Sequence, residues 1–153
     1  MLFDRDETLI EDIPYNGDPA RVVPLPGARE ALDALRAAGI PVAVVSNQSG
    51  VGRGLITLVE VDAVNARVGE LLGPFLGFFV CPHGPEDGCD CRKPRPKLIL
   101  DAACALSVDP ACCVVIGDKE SDVQAARNAG ATGVRVDASH TVREAVAEIL
   151  KSL

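Results

Sequence analysis

Residues 1–10, MLFDRDETLI, run three apolar side chains straight into Asp4, Arg5 and Asp6. A strand that ends on two carboxylates one residue apart has two readings. It is a solvated turn, where aspartate is common, or a pair of carboxylates sharing a metal and a reacting phosphate. Residues 112–122, CCVVIGDKESD, repeat the arrangement, with an apolar run ending at Asp118. If the two strands are neighbours, Asp4 and Asp118 converge. Carboxylates that close repel or take up a proton, and a hard divalent cation such as Mg²⁺ resolves the conflict.

Between these stretches, helical and strand patterns alternate. PGAREALDALRAAG (26–39) has Ala28, Ala31, Leu32 and Leu35 at helical spacing, with Gly39 as a stop signal. IPVAVVS (40–46) reads as a buried strand, residues 57–72 as a helix, and FLGFFV (75–80) as a third strand. A helix over 96–106 leads to the strand CCVVIG, then to a helix over 121–130 with a Ser121–Gln124 capping box. GVRV (133–136) and a helix over 141–150 complete the chain. This order predicts an α/β fold: a doubly wound, mostly parallel, Rossmann-like sheet of about five strands flanked by helices. Ligands of such sheets bind beyond the carboxyl ends of the strands, where Asp4, Ser46, a cysteine loop and Asp118 all fall.

At 153 residues the chain is expected to form one domain, residues 1–153. It is 48% hydrophobic but 3% aromatic, so its core is aliphatic, as suits a buried parallel sheet. A net charge of −7 argues against nucleic-acid and anionic-membrane partners. No apolar run approaches the ~20 residues of a membrane span, and charge at Asp4 speaks against a secretory signal. A cytoplasmic monomer is the expectation. Cys104, Cys112 and Cys113 stand in apolar settings and read as small core residues.

The remaining cysteines cluster in CPHGPEDGCDC (81–91), where Cys81, His83, Cys89 and Cys91 could close a tetrahedral Zn²⁺ site. Free thiols or a disulfide are the alternatives. With no open coordination position such a zinc would be structural, stiffening the loop that presents Arg92 and Lys93. NQSGVGRG (47–54) follows a strand as a dinucleotide fingerprint would, but Leu55 stands where the third glycine belongs.

FDRDET, SNQSG, CRKP and GDKESD, in that order, resemble the four motifs of the haloacid-dehalogenase superfamily of phosphohydrolases. The resemblance runs from Asp4 to Asp122. It implies Asp4 as nucleophile, Asp6 as general acid and then base, and Ser46 and Lys93 as holders of the phosphoryl group. It further implies Mg²⁺ on Asp4, the Asp6 backbone carbonyl and Asp118, with Asp122 behind them. CPH…CDCRKP is similar to two groups within the superfamily, the D-glycero-D-manno-heptose 1,7-bisphosphate 7-phosphatases and the histidinol-phosphate phosphatases. SNQSGVGRG is closer to the former, and the short cysteine loop is compatible with the latter. The spacing leaves no room for an inserted cap domain. An open mouth then suits a phosphorylated sugar contacted by Arg92, Asn47, Gln48, Ser49, Arg53 and Lys119, with Tyr15 and Asn16 closing over it. Two departures stand out. Glu7 occupies the position where the superfamily usually has glycine, and only three residues precede Asp4, which suggests missing residues or a frayed sheet centre. A phosphate-binding protein without turnover, or a zinc-stabilised interaction module, are the competing classes.

Overall fold

The computed structural model describes residues 1–153. Five parallel strands form one sheet: β1 (Leu2–Phe3), β2 (Ala43–Asn47), β3 (Phe78–Cys81), β4 (Val114–Gly117) and β5 (Thr132–Arg135). Their spatial order is β3-β2-β1-β4-β5, so the chain reverses direction across the sheet at β1. No cap is inserted, as the spacing predicts. No helix is long and apolar enough to cross a membrane.

The central strand is short but not frayed. Leu2 pairs with Ala43 on one side and Val115 on the other, and Phe3 with Val44 and Ile116. Both residues are fully buried. The ladder continues past the strand, because Asp4 N donates to Ile116 O at 2.9 Å and Ala43 N to Met1 O at 3.1 Å. Strand alternation then sends Phe3, Val44 and Ile116 to one face and Leu2, Ala43, Val45 and Val115 to the other. The first set packs with α1 (Ala28–Ala37), α3 (Leu58–Leu72) and α6 (Val142–Ser152). The second packs with α4 (Lys97–Ala105) and α5 (Glu120–Asn128).

Four details depart from the sequence reading. β2 begins only at Ala43, after Pro41, which has no N–H to give to a ladder. Ser49–Gly52, for which the sequence offered only an incomplete glycine fingerprint, forms the short helix α2. The start of α5 carries no Ser121–Gln124 capping box; Asp122 Oδ2 accepts from Lys119 N at 3.1 Å, while Gln124 Nε2 turns outward to Asn128 Oδ1. Of the three cysteines assigned to the core, only Cys113 is buried. Cys104 lies on the outer face of α4, and Cys112 in the 3₁₀ turn Pro110–Cys112 that precedes β4.

Candidate active site and metal centres

The carboxyl ends of β1, β2 and β4 bring the candidate residues together. A cleft of about 360 Å³ opens there without a single hydrophobic lining residue. Asp4, Asp6 and Asp122 supply its acidic side; Arg92, Lys93 and Lys119 supply its cations; Asn47, Ser49 and Ser121 add neutral polar groups.

Lys93 is the hub. Its Nζ lies 2.9 Å from Asp4 Oδ1, 2.6 Å from Asp122 Oδ1 and 2.8 Å from the Val45 carbonyl. Only 3% of this residue is exposed. Burial works to lower the ammonium's pKa, but the Asp4 and Asp122 carboxylates outweigh it and hold the value above that of a free lysine. Two positions make this approach possible. A Cβ at Gly117 would overlap the Asp122 carboxylate, so β4 ends on glycine where Asp122 folds back over it. Asn47 clasps the backbone beside Lys93, accepting from Lys93 N at 3.0 Å and donating to Lys93 O at 3.1 Å.

Asp118 is different in kind. Its Oδ1 is buried and has no hydrogen-bond partner. Burial, followed by the nearby Asp4 carboxylate, pushes its pKa up to about 6. Ligand atoms of Asp4, Asp118 and Asp122 lie within 4.8 Å of one another. An orphaned carboxylate oxygen beside a second carboxylate is the donor set a hard cation takes, so these residues fit Mg²⁺. Asp122 has both oxygens committed, to Lys93 and to Lys119 N, whereas Asp4 gives only Oδ1 to Lys93; Asp4 Oδ2 and the orphaned Asp118 Oδ1 are left to meet a cation. Asp118 also faces a second cavity of about 520 Å³, shared with Glu7, Thr8 and Asp137.

Glu7 adopts a left-handed backbone conformation, φ 58°, the geometry for which glycine is the easier residue. Its side chain is exposed, does not line the polar cleft, and accepts from Asp12 N at 3.0 Å through Oε1. The carboxylate is thus spent on closing its own turn.

The remaining predicted residues take up more varied positions. Ser46 and Gln48 lie beneath the cleft, almost fully buried, with Gln48 Nε2 donating to Ser46 Oγ at 2.8 Å and to Asp6 Oδ2 at 2.9 Å. Arg53 is exposed and does not line the cleft. Tyr15 also lies outside it, with its ring against Gly50, where a Cβ would sit 2.7 Å from Tyr15 Cδ1. Asn16 bonds within its own loop, to Asp18. Sequence reasoning passed over Arg5 and Asn65, both buried. Arg5 forks onto Asp6, and its Nη1 donates to Asn65 Oδ1 at 2.9 Å. A signal for Asn65 was present, since it shares the apolar face of α3 with Val61, Val64, Val68 and Leu72.

Cys81, His83, Cys89 and Cys91 surround one point. The Sγ atoms of Cys81 and Cys89 are 3.7 Å apart, those of Cys81 and Cys91 3.0 Å, and His83 Nδ1 lies 3.5 and 3.3 Å from Cys81 and Cys91. Ligands on a tetrahedral zinc at ~2.3 Å from sulfur stand about 3.7 Å apart, so the four residues fit that ion with little adjustment. The loop is tied to the neighbouring strand end, because Gly52 N donates to Pro82 O at 2.7 Å and Gln48 N to Cys81 O at 2.8 Å. Two glycines of GVGRG therefore serve close packing, Gly50 against Tyr15 and Gly52 against the cysteine loop, while Gly54 takes a left-handed conformation, φ 72°.

This geometry agrees with what the chain is similar to. Residues 14–130 match the haloacid dehalogenase-like hydrolases. The chain belongs to that family. A D-glycero-beta-D-manno-heptose-1,7-bisphosphate 7-phosphatase of Pseudomonas aeruginosa is 37% identical over 148 residues, covering 94% of this chain and 83% of the relative. The corresponding alpha-anomer phosphatase of Mycobacterium tuberculosis is 42% identical over 112 residues, covering 70% of this chain and 59% of the relative. Among solved structures, the heptose bisphosphate phosphatase of B. bronchiseptica, complexed with magnesium and phosphate, superposes with a TM-score of 0.88 at 29% identity, over 100% of this chain and 98% of that one. The expected superfamily, hydrolase class and capless five-stranded fold all stand.

Proposed function

We propose that this haloacid dehalogenase-like phosphatase removes the 7-phosphate of D-glycero-D-manno-heptose 1,7-bisphosphate through an aspartyl-phosphate on Asp4. The observation that carries the reading is buried Lys93, bridging Asp4 and Asp122 at the floor of a predominantly polar cleft. Relatives of both anomeric specificities support the heptose.

Asp4 attacks phosphorus, forming an O–P bond as the ester P–O bond breaks, and Asp6 gives its proton to the departing alkoxide. Water then attacks the phosphorus, Asp6 recovers a proton from it, and the bond to Asp4 breaks to release phosphate. Lys93 and the Ser46 hydroxyl hold the phosphoryl oxygens, while Arg92, Asn47, Ser49 and Lys119 meet the rest of the substrate. Gln48 acts by holding Asp6, and Arg53 and Tyr15, which do not line the cleft, are left to meet only substrate that extends beyond it. Asp4, the Asp6 carbonyl and Asp118 would hold Mg²⁺, which supplies neutralising charge for the phosphate. Cys81, His83, Cys89 and Cys91 would hold a structural Zn²⁺. A monomeric, single-domain protein of the cytoplasm fits the unpaired cysteines and the small anionic substrate.

The test is a phosphate-release screen with Mg²⁺ on both anomers of heptose 1,7-bisphosphate and on histidinol phosphate. Turnover of the heptose, abolished by Asp4→Asn, is the expected result. A preference for histidinol phosphate moves the chain to the other group, and no release from any ester sinks the enzyme reading. Glu7 Oε1 accepts from Asp12 N and the side chain does not line the polar cleft, which supports retained turnover over the binding-protein alternative; assay of Glu7→Gly beside the wild type tests it.

A further inference from the structure

The proposed acid and base, Asp6, is held from behind by residues outside the cleft. Arg5 Nε donates to Asp6 Oδ1 at 3.1 Å and Nη2 to Oδ2 at 3.2 Å, a two-pronged grip on one carboxylate. Arg5 is 4% exposed, so its guanidinium cannot turn to water. Its Nη1 is anchored instead on α3, at Asn65 Oδ1, 2.9 Å away. Asn65 is itself 5% exposed. A polar amide on the apolar stripe of a helix costs stability unless it is bonded, and here its bond reaches the Asp6 fork.

Counting lone pairs gives the chain a direction. Asp6 Oδ2 accepts twice, from Arg5 Nη2 and from Gln48 Nε2 at 2.9 Å, and is saturated. Oδ1 accepts only from Arg5 Nε and keeps one acceptor site. We propose that Asn65, acting through Arg5, is a positioning residue for Asp6, and that the arrangement reserves Asp6 Oδ1 as the oxygen that carries the proton. This rests on the hydrolase reading above. Without the anchor on α3, the guanidinium swings and the carboxylate rotates with it; Oδ1 then loses its alignment on the ester oxygen, while Asp4 and Lys93 are undisturbed.

The holoenzyme carrying Asn65→Leu, a near-isosteric change, is compared with Asn65→Asp, which keeps an acceptor for Nη1. Single-turnover cleavage is followed for whichever alcohol phosphate the wild type hydrolyses, and for p-nitrophenyl phosphate, whose leaving group departs without a proton. Asn65→Leu is expected to slow the alcohol ester by about ten- to a hundred-fold, part of what a general acid contributes, with KM within about twofold. First-turnover release of nitrophenolate should stay within about threefold, and Asn65→Asp should recover most of the loss with the alcohol ester. Equal slowing of both esters would assign Asn65 a structural role and overturn the proposal. So would an unchanged rate for Asn65→Leu, or a folded Asn65→Asp that recovers nothing. A wild type that hydrolyses no phosphate ester overturns the function proposed above and this inference with it, an outcome separate from those three.

Discussion

Asp118 carries a cost at neutral pH that a bound cation would remove. Its carboxyl rises from 3.8 to about 6, first through burial and then through Asp4. Because the folded-state value is the higher one, the ionised carboxylate weakens the fold. That penalty is absent below about 3.8, grows as pH rises, and is complete above about 6. Asp118→Asn, which cannot ionise, should therefore melt higher than wild type in EDTA at pH 7.5, with the gap closing towards pH 4. Adding Mg²⁺ should stabilise the wild type alone and reverse the order. Thermal melts of both proteins check this, and coincident melts at pH 7.5 without metal would count against it. Glu7 is the other residue with a measurable balance. Glu7→Gly relieves a left-handed residue by about 1–2 kcal/mol, and loses a hydrogen bond worth about 1 kcal/mol and some unfolded-state restriction. The net change in urea denaturation should stay below about 1 kcal/mol, with activity little altered. A large rise in activity would mean that the glutamate reaches the cleft after all.

At the scale of elements, the cysteine loop and α2 form one unit. A Cβ on Gly52 would stand 2.7 Å from Gly84 N and 3.0 Å from Pro82 O, both backbone atoms that cannot step aside. Gly52→Ala should cost about 2 kcal/mol by overpacking. It should also speed zinc loss to a chelator, measured against the about one zinc per chain expected by elemental analysis. Unchanged zinc retention would uncouple the two segments. Much of this was legible in the sequence, and the limits have physical causes. The Cys/His spacing was readable because ligands of one ion lie close along the chain. The Asp motifs were readable because each follows a buried strand. What α2 and the Arg5–Asn65 pair share is that tertiary neighbours decide them, whereas at the start of α5 two local caps competed and Asp122, also drawn to Lys93, won. Asn65 meets Arg5 across 60 residues, and no local pattern encodes that partner. Cys104 and Cys112 misled for the same reason, since apolar neighbours in sequence do not say which side of an element faces out.

For the whole molecule, the sheet order places every strand end of consequence on one edge, and the absence of a cap leaves that edge open. Nothing in such a cleft requires a second chain, so analytical ultracentrifugation should find a 16.0 kDa species at micromolar concentration, and a stable dimer would contradict the proposed monomer. The Lys93 ammonium has a consequence for biosynthesis. It joins Asp4 near the start of the chain, the Val45 carbonyl in β2 and Asp122 in α5, the first of them 89 positions before the lysine. A nascent polypeptide extended only through α4 holds the ammonium and Asp4 but lacks both Asp118 and its second carboxylate partner. If Asp118 and Asp122 carry the proposed roles, a growing chain gains phosphatase activity only once the ribosome has released α5, and turnover becomes a late checkpoint on a completed fold.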